Sequence, residues 1–402
     1  MTTRSALISG ASIAGPVLAY WLSDAGWDVT VVERADRLRT SGYPVDVRGT
    51  AVDVIRRMGL YDRVAAQRYR HVPVRLLSPA GHRLCTLDYG NLLASSDTAD
   101  VELPRGALTS ILHGATADRV EYVFGDTITD LSSDDDGVDV TFARRRAERF
   151  DVVIGADGIH STARELVFGD EVRYLHHLGP YAAVWDLPTD MFDPGAGFFY
   201  SHPGRTVLVE RPSDGGAARA FLTFIHPEPG TVDPRDRAEI VAALHDAFAD
   251  DRWRTAEIID TATAVDDVYF DTVSQVRMDR WHCGRVALVG DAAYAPSFLS
   301  GQGTSIAVSG AYVLASELAA HDRPQQAFAA YQQRMRAHVE RNQALALRTD
   351  GTVLVRTRAQ LLLRNIKLCA VPLLQRLGLV GLLQRGLRGA TTDLTLCEAV
   401  TR

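Results

Sequence analysis

Two glycines and one carboxylate near the start of the chain have the spacing needed to hold a dinucleotide. Gly10 and Gly15 bracket Ala11-Ser12-Ile13-Ala14, directly after the apolar run Leu7-Ile8-Ser9, and Glu33 closes the next apolar run. A glycine at 10 allows a tight turn off a strand, and one at 15 lets a following helix approach the sheet. The amides between them, with the positive end of the helix, suit a pyrophosphate. A carboxylate at 33 falls where a ribose hydroxyl is bonded. Ser12 occupies the place of the usual middle glycine. Its Cβ restricts how closely backbone approaches phosphate, and its hydroxyl offers a donor in exchange.

These residues need a βαβ frame. Residues 5–9 and 28–33 read as buried parallel strands, joined by a helix from Ile13 to Ala25 that stops at Gly26. Residues 36–49 read as irregular. Further expected elements are a helix over 50–59, strands near 74–78 and 83–88, and a helix from Arg105. Asp136-Gly137 predicts a hairpin turn between 128–131 and 138–142. Buried strands recur at 151–155 and 285–290, the latter leading through a glycine loop into a long helix near 304–320. Between them, 172–275 is rich in aromatic and strand-like segments, with one helix at 235–249, and reads as a separate sheet. The predicted class is α/β. A Rossmann-like dinucleotide-binding domain is built from 1–70, 101–171 and 276–350. Interleaved with it is an α+β substrate domain, mainly antiparallel, from 71–100 and 172–275. Helices over 351–402 complete the chain. Apolar clusters at 361–363 and 371–374, flanked by arginines, read as a helix packed over the main domain in preference to one touching a membrane surface.

The 402 residues carry a net charge of −7, which argues against a nucleic-acid partner, since phosphate binding needs a basic face. Arg144-Arg145-Arg146 reads as a solvated edge. The first apolar run leads straight into the glycine turn, so no signal peptide is expected. No apolar run is long enough to span a bilayer. Cys85, Cys283, Cys369 and Cys397 are widely spaced, and they fit free thiols in a reducing cytoplasm better than a disulfide frame or a zinc site. The pair His176-His177 has no metal-ligand spacing, and no metal is expected.

Two further motifs stand in register with the first. One is Asp151-Val152-Val153-Ile154-Gly155-Ala156-Asp157-Gly158-Ile159-His160-Ser161-Thr162-Ala163-Arg164. The other is Arg285-Val286-Ala287-Leu288-Val289-Gly290-Asp291-Ala292-Ala293, continuing through Pro296 to Gly301-Gln302-Gly303-Thr304. Together the three resemble the single-component FAD-dependent aromatic hydroxylases typified by para-hydroxybenzoate hydroxylase, over roughly residues 5–320. The resemblance implies that Gly10, Ser12, Ile13, Ala14 and Gly15 hold FAD, with Glu33 on the adenosine ribose and Arg34 beside the adenine. It places Arg105 at the phosphate and ribityl region, Asp157 in a motif tied to FAD and NADPH handling, and Asp291 on the ribityl chain. Gly301, Gln302, Gly303 and Thr304 fall beside the flavin ring, where a helix N-terminus favours negative charge. Pro296, Gly301 and Gly303 are the expected loop around the reacting ring, and no side-chain base is assigned.

Within that family the chain resembles tetracycline-degrading monooxygenases and actinobacterial antibiotic-tailoring hydroxylases most. The stretch Arg39-Thr40-Ser41-Gly42-Tyr43-Pro44-Val45-Asp46 matches the region that implies an NADPH-contacting Arg39 and an FAD-contacting Asp46, with Arg48 as a flavin neighbour. The implied reaction uses NADPH or NADH to reduce FAD. O2 then adds at flavin C4a, and the resulting hydroperoxide oxygenates an aromatic or polycyclic small molecule. Tyr181, Trp185, Phe198, Tyr200, Phe224, His226, Tyr269 and Phe298 are the candidate lining of an apolar substrate cavity. A monomer or homodimer with no stable membrane insertion is expected. Competing readings are an FAD-dependent reductase or dehydrogenase on the same fold and a catalytically silent FAD or ligand binder. A halogenase is disfavoured by the absence of a Trp-x-Trp-x-Ile-Pro segment. The chain departs from the family pattern at Ser12, at Tyr294, where histidine is common, and at Gly310, where aspartate is common.

Overall fold

The structure is a computed structural model. It describes residues 3–38, 43–88, 99–228, 230–234, 236–265 and 267–376, together with 394 and 396, and side chains outside 348–353 and 373–376. Ser5–Ser9 lies inside a six-stranded sheet, flanked by Asp28–Glu33 on one side and Val152–Gly155 on the other. Val286–Leu288 continues the parallel set beyond Val152–Gly155, and Glu121–Phe124 continues it beyond Asp28–Glu33. The chain therefore leaves the first strand in one direction and returns on its other side. That reversal opens a crevice at the carboxyl edge of the sheet. The three strands from Ser5, Asp28 and Val152 are buried along almost their whole length, as in a sheet covered on both faces.

The first helix, Ala14–Asp24, packs on Gly303–Ala320. The second of these is buried nearly all round, between the first helix, Thr50–Arg57 and the long helix Pro324–Val353. The seven-stranded second sheet contains Pro73–Leu77, Arg83–Asp88, Leu175–Leu187, Gly197–His202, Arg205–Glu210, Ala218–Ile225 and Tyr269–Val276. Its neighbours run antiparallel except Pro73–Leu77 beside Gly197–His202. One face carries the helices Arg237–Ala247 and Thr255–Thr261 over an apolar core. The hairpin at Asp136-Gly137 forms within a separate three-stranded sheet.

Three sequence expectations are corrected. Residues 36–49 are not wholly irregular, because Pro44–Val47 pairs with Val101–Pro104 and sets Asp46 opposite Glu102. A short helix, Thr255–Thr261, follows the expected one on the face of the second sheet. Cys85 and Cys369 are not free thiols: a disulfide ties strand Arg83–Asp88 to helix Arg358–Arg376, with Cα atoms 5.6 Å apart. Sequence separation concealed this contact, since the two stand 284 positions apart. Cys283 is free and exposed, and Cys397 lies outside the described residues. Among the described residues no helix is long and apolar enough to cross a membrane.

Candidate cofactor and substrate site

A cavity of about 490 Å³ runs along the carboxyl edge of the parallel sheet. At one end stand Glu33 and Arg34, at its middle Gly10 to Ala14 and Arg105, then Asp291, and at the far end Pro296, Gly301, Gly303 and Thr304. Gly10 is required by its φ of +112° and by packing, since a Cβ there would lie 2.4 Å from the Ala156 carbonyl oxygen. A Cβ on Gly15 would lie 1.9 Å from the Gly10 carbonyl oxygen. Gly15 thus serves close backbone approach within the turn, and Gly10 the approach of the turn to the backbone after Val152–Gly155.

Glu33 is fixed by two amides: Ala11 N donates to Oε2 and Ala35 N to Oε1, each at 2.9 Å. Ser12 accepts a hydrogen bond from Arg105 Nη2 at 2.8 Å. The serine in the middle-glycine place therefore anchors the guanidinium beside the turn and keeps its own proton to donate. Asp291 opens into the cavity, and the surrounding protein raises its carboxyl above the usual range, with Arg105 opposing. Asp157 also lines the cavity, but its carboxylate is turned into the fold. It accepts from Ser161 Oγ at 2.5 Å and Ala163 N at 3.0 Å, and burial raises its pKa. Asp46 pairs with Arg48 at 2.7 Å and is pushed up to about 6, chiefly by burial. A Cβ on Gly301 would meet its Oδ2 at 3.4 Å. Gln302 is buried at the start of helix Gly303–Ala320. Arg39 lies outside the described residues.

The donor set fits FAD. A carboxylate waits for a ribose, amides and a guanidinium for a pyrophosphate, and a second carboxylate for a polyol. Neither Ile13 nor Gln302 caps its helix with a side chain, so first-turn amides at the middle and at the far end of the cavity remain open for a ligand. Ser297, beside Pro296, has φ 94° and ψ 147°, the sole positive φ outside glycine among the described residues. Its carbonyl and hydroxyl are tied to Ser300 Oγ and Leu299 N, which holds the strained loop in place.

The aromatic lining differs from expectation. Tyr269 and Phe298 reach the cavity and pack edge-on against Tyr43, at 5.1 and 5.2 Å between ring centroids. Tyr181, Trp185, Phe198, Tyr200 and Phe224 instead belong to the core beneath the two helices of the second sheet. His226 stands at the end of that face, edge-on to Tyr181. Strand alternation is the reason: in Ala218–Ile225, Phe224 and Leu222 face the helices while Phe221 faces the cavity. Tyr43, Phe221, His160 and Asp271 were not anticipated as lining residues. His160, inside the second motif, bridges Glu171 at 2.8 Å and Asp271 at 3.0 Å, and those two bonds raise it to about 10. Only the register of Tyr269–Val276 against Leu175–Leu187 brings Asp271 to that place.

The two family departures near the loop meet each other. A Cβ on Gly310 would lie 2.0 Å from Tyr294 Oη, so the bare glycine leaves room for the larger phenol. Tyr294 is buried and bonded to Tyr331 Oη at 2.9 Å, and Tyr331 donates to the Leu288 carbonyl at 3.1 Å.

Parallel strands, a crevice at their carboxyl edge and this donor set define a flavin-binding protein. The chain belongs to the FAD-binding-domain family, whose pattern matches residues 3–346. It is 42% identical over 345 residues to an uncharacterized protein of Mycobacterium tuberculosis, covering 85% of this chain and 92% of that one. It is 37% identical to a flavin-dependent monooxygenase from an unknown prokaryotic organism, covering 86% of this chain and 89% of that protein. The crystal structure of tetracycline destructase Tet(55) superposes with a TM-score of 0.84 at 33% identity, over 99% of both chains. These likenesses place the chain among FAD-dependent monooxygenases of the tetracycline-destructase and aromatic-hydroxylase type.

Proposed function

We propose that the protein uses NADPH or NADH and O2 to hydroxylate an aromatic or polycyclic small molecule, of the kind found among antibiotics. The observation that carries this reading is one continuous cavity that runs from Glu33 to Thr304 and is walled by Tyr43, Phe221, Tyr269 and Phe298. When bound, FAD supplies the oxygen chemistry. Glu33, Ser12 with Arg105, and Asp291 hold its ribose, phosphates and polyol. The open amides at the start of helix Gly303–Ala320 favour negative charge on the ring edge. Pro296 and the aromatic wall shape the space beside the ring and exclude water. Burial raises the Tyr43 and Tyr269 hydroxyls, so both stay protonated and donate to a polar substituent of the substrate. Arg39 belongs to the same proposal as an NADPH contact.

The test is a screen of aromatic polyketides, tetracyclines included, for accelerated NAD(P)H consumption under ¹⁸O2, followed by mass spectrometry. A product heavier by one labelled oxygen supports hydroxylation. Turnover of substrate with no labelled oxygen in the product refutes it in favour of a dehydrogenase.

A further inference from the structure

A second cavity, of about 400 Å³, lies on the reverse side of the loop that lines the first. Its floor is apolar, from Trp281, Tyr294 and Val339, and three guanidiniums stand at it: Arg173, Arg277 and Arg336. None of the three forms an ion pair with a carboxylate among the described residues, unlike Arg48 on Asp46 or Arg205 on Asp251. Two are nevertheless held still. Arg277 donates Nε and Nη2 to the Gln275 side-chain carbonyl at 3.0 and 2.7 Å. Arg336 donates Nη1 to the Met278 carbonyl at 2.8 Å and Nη2 to the Asp279 carbonyl at 2.5 Å, and lies 4.6 Å from the Trp281 ring centroid. Neutral acceptors fix these cations without neutralising them, which is how an anion site is preorganised.

Asp279 and Glu340 also line the cavity and make no ion pair with the three arginines. Three cations face two carboxylates there, and an oxyanion with several charged oxygens accepts from several guanidiniums at once. His176, also at the rim, adds no fixed charge, because burial and Arg277 both lower its pKa.

We propose that this cavity is a second ligand site, for a multiply charged oxyanion of the phosphate class. The site reports to the first cavity through one buried side chain. Gln275, which accepts from Arg277, donates Nε2 to the Pro296 carbonyl at 3.0 Å and to the Gln343 carbonyl at 2.7 Å. Gln343 in turn donates to the Val276 carbonyl at 2.8 Å. An anion that draws Arg277 toward itself therefore loads the bond network that positions Pro296. The inference stands on this geometry alone and does not depend on the reaction proposed above.

The experiment titrates inorganic pyrophosphate into FAD-saturated protein by calorimetry, with ionic strength held constant by NaCl so that the cofactor site is filled and general screening is fixed. Saturable binding to the wild type is expected. Arg173→Gln and Arg277→Gln should each weaken it about tenfold or more, the usual effect of removing a charged hydrogen-bond donor. Arg280→Gln, the same charge change on an exposed neighbour outside the cavity, should leave it unchanged, and matched thermal unfolding of the three variants checks that each folds. Competition by NADP⁺ would identify the nicotinamide dinucleotide as the phosphate source; no competition would identify a separate phosphate ligand. Absence of saturation with the wild type, or equal affinity in the wild type, Arg173→Gln and Arg277→Gln, overturns the proposal.

Discussion

Gly310→Ala tests whether the two departures beside the flavin loop form one structural unit. The added Cβ would sit 2.0 Å from Tyr294 Oη, 3.2 Å from its Cζ and 3.5 Å from Met335 Cε. Alanine in a helix interior gains about 1 kcal/mol over glycine. Overpacking a buried site costs about 1–3 kcal/mol, and moving the Tyr294 phenol off Tyr331 removes a buried hydrogen bond worth about 1 kcal/mol. The net expectation is a loss of about 2 kcal/mol. For a chain of this length the unfolding entropy converts that to a Tm lowered by about 2–3 °C. Tyr294→Phe alone should cost about 1 kcal/mol, since it deletes the bond to Tyr331 but leaves Tyr331 donating to Leu288. In the double variant the 2.0 Å overlap disappears with the hydroxyl, and only the 3.2 Å contact remains. Tyr294→Phe/Gly310→Ala should therefore melt within about 1 °C of the wild type. Scanning calorimetry of the four FAD-loaded proteins reads this directly. Strictly additive losses, with the double variant the least stable, would refute the idea that the phenol and the missing side chain share one space.

Ser12→Ala removes the acceptor of Arg105 and should weaken FAD binding about fivefold to tenfold, read by flavin fluorescence titration; unchanged affinity would leave Arg105 anchored without it. Asp291→Ala should release FAD during purification, and full occupancy would remove Asp291 from the cofactor's grip. His160 is raised from 6.5 to about 10 by Asp271 and Glu171, so its stabilising pairing is complete below pH 6.5 and is lost as pH rises through about 10. The Tm gap between wild type and His160→Gln should accordingly narrow between pH 7 and pH 10; a gap independent of pH would show that the pairing is not ionic. Intact-mass analysis with alkylation under non-reducing conditions should label Cys283 and spare Cys85 and Cys369, and labelling of Cys85 would contradict the cross-link.

The sequence alone determined whatever is written in contiguous backbone. The turn from Gly10 to Gly15, the carboxylate at Glu33, the loop from Pro296 to Thr304 and the parallel strands around them are local patterns, because a φ of +112° or an approach within 2.4 Å of a carbonyl admits only glycine. Tertiary structure decided what depends on distance and on face. Whether Phe221 or Phe224 meets the cavity is set by pairing register, where a shift of one residue exchanges the two faces of a strand. The grip of Ser12 on Arg105, the room Gly310 leaves for Tyr294, the bridge from His160 to Asp271 and the link from Cys85 to Cys369 all join residues far apart in the chain. No periodicity marks such pairs, because each residue type is ordinary where it stands and only the packed fold makes the two neighbours.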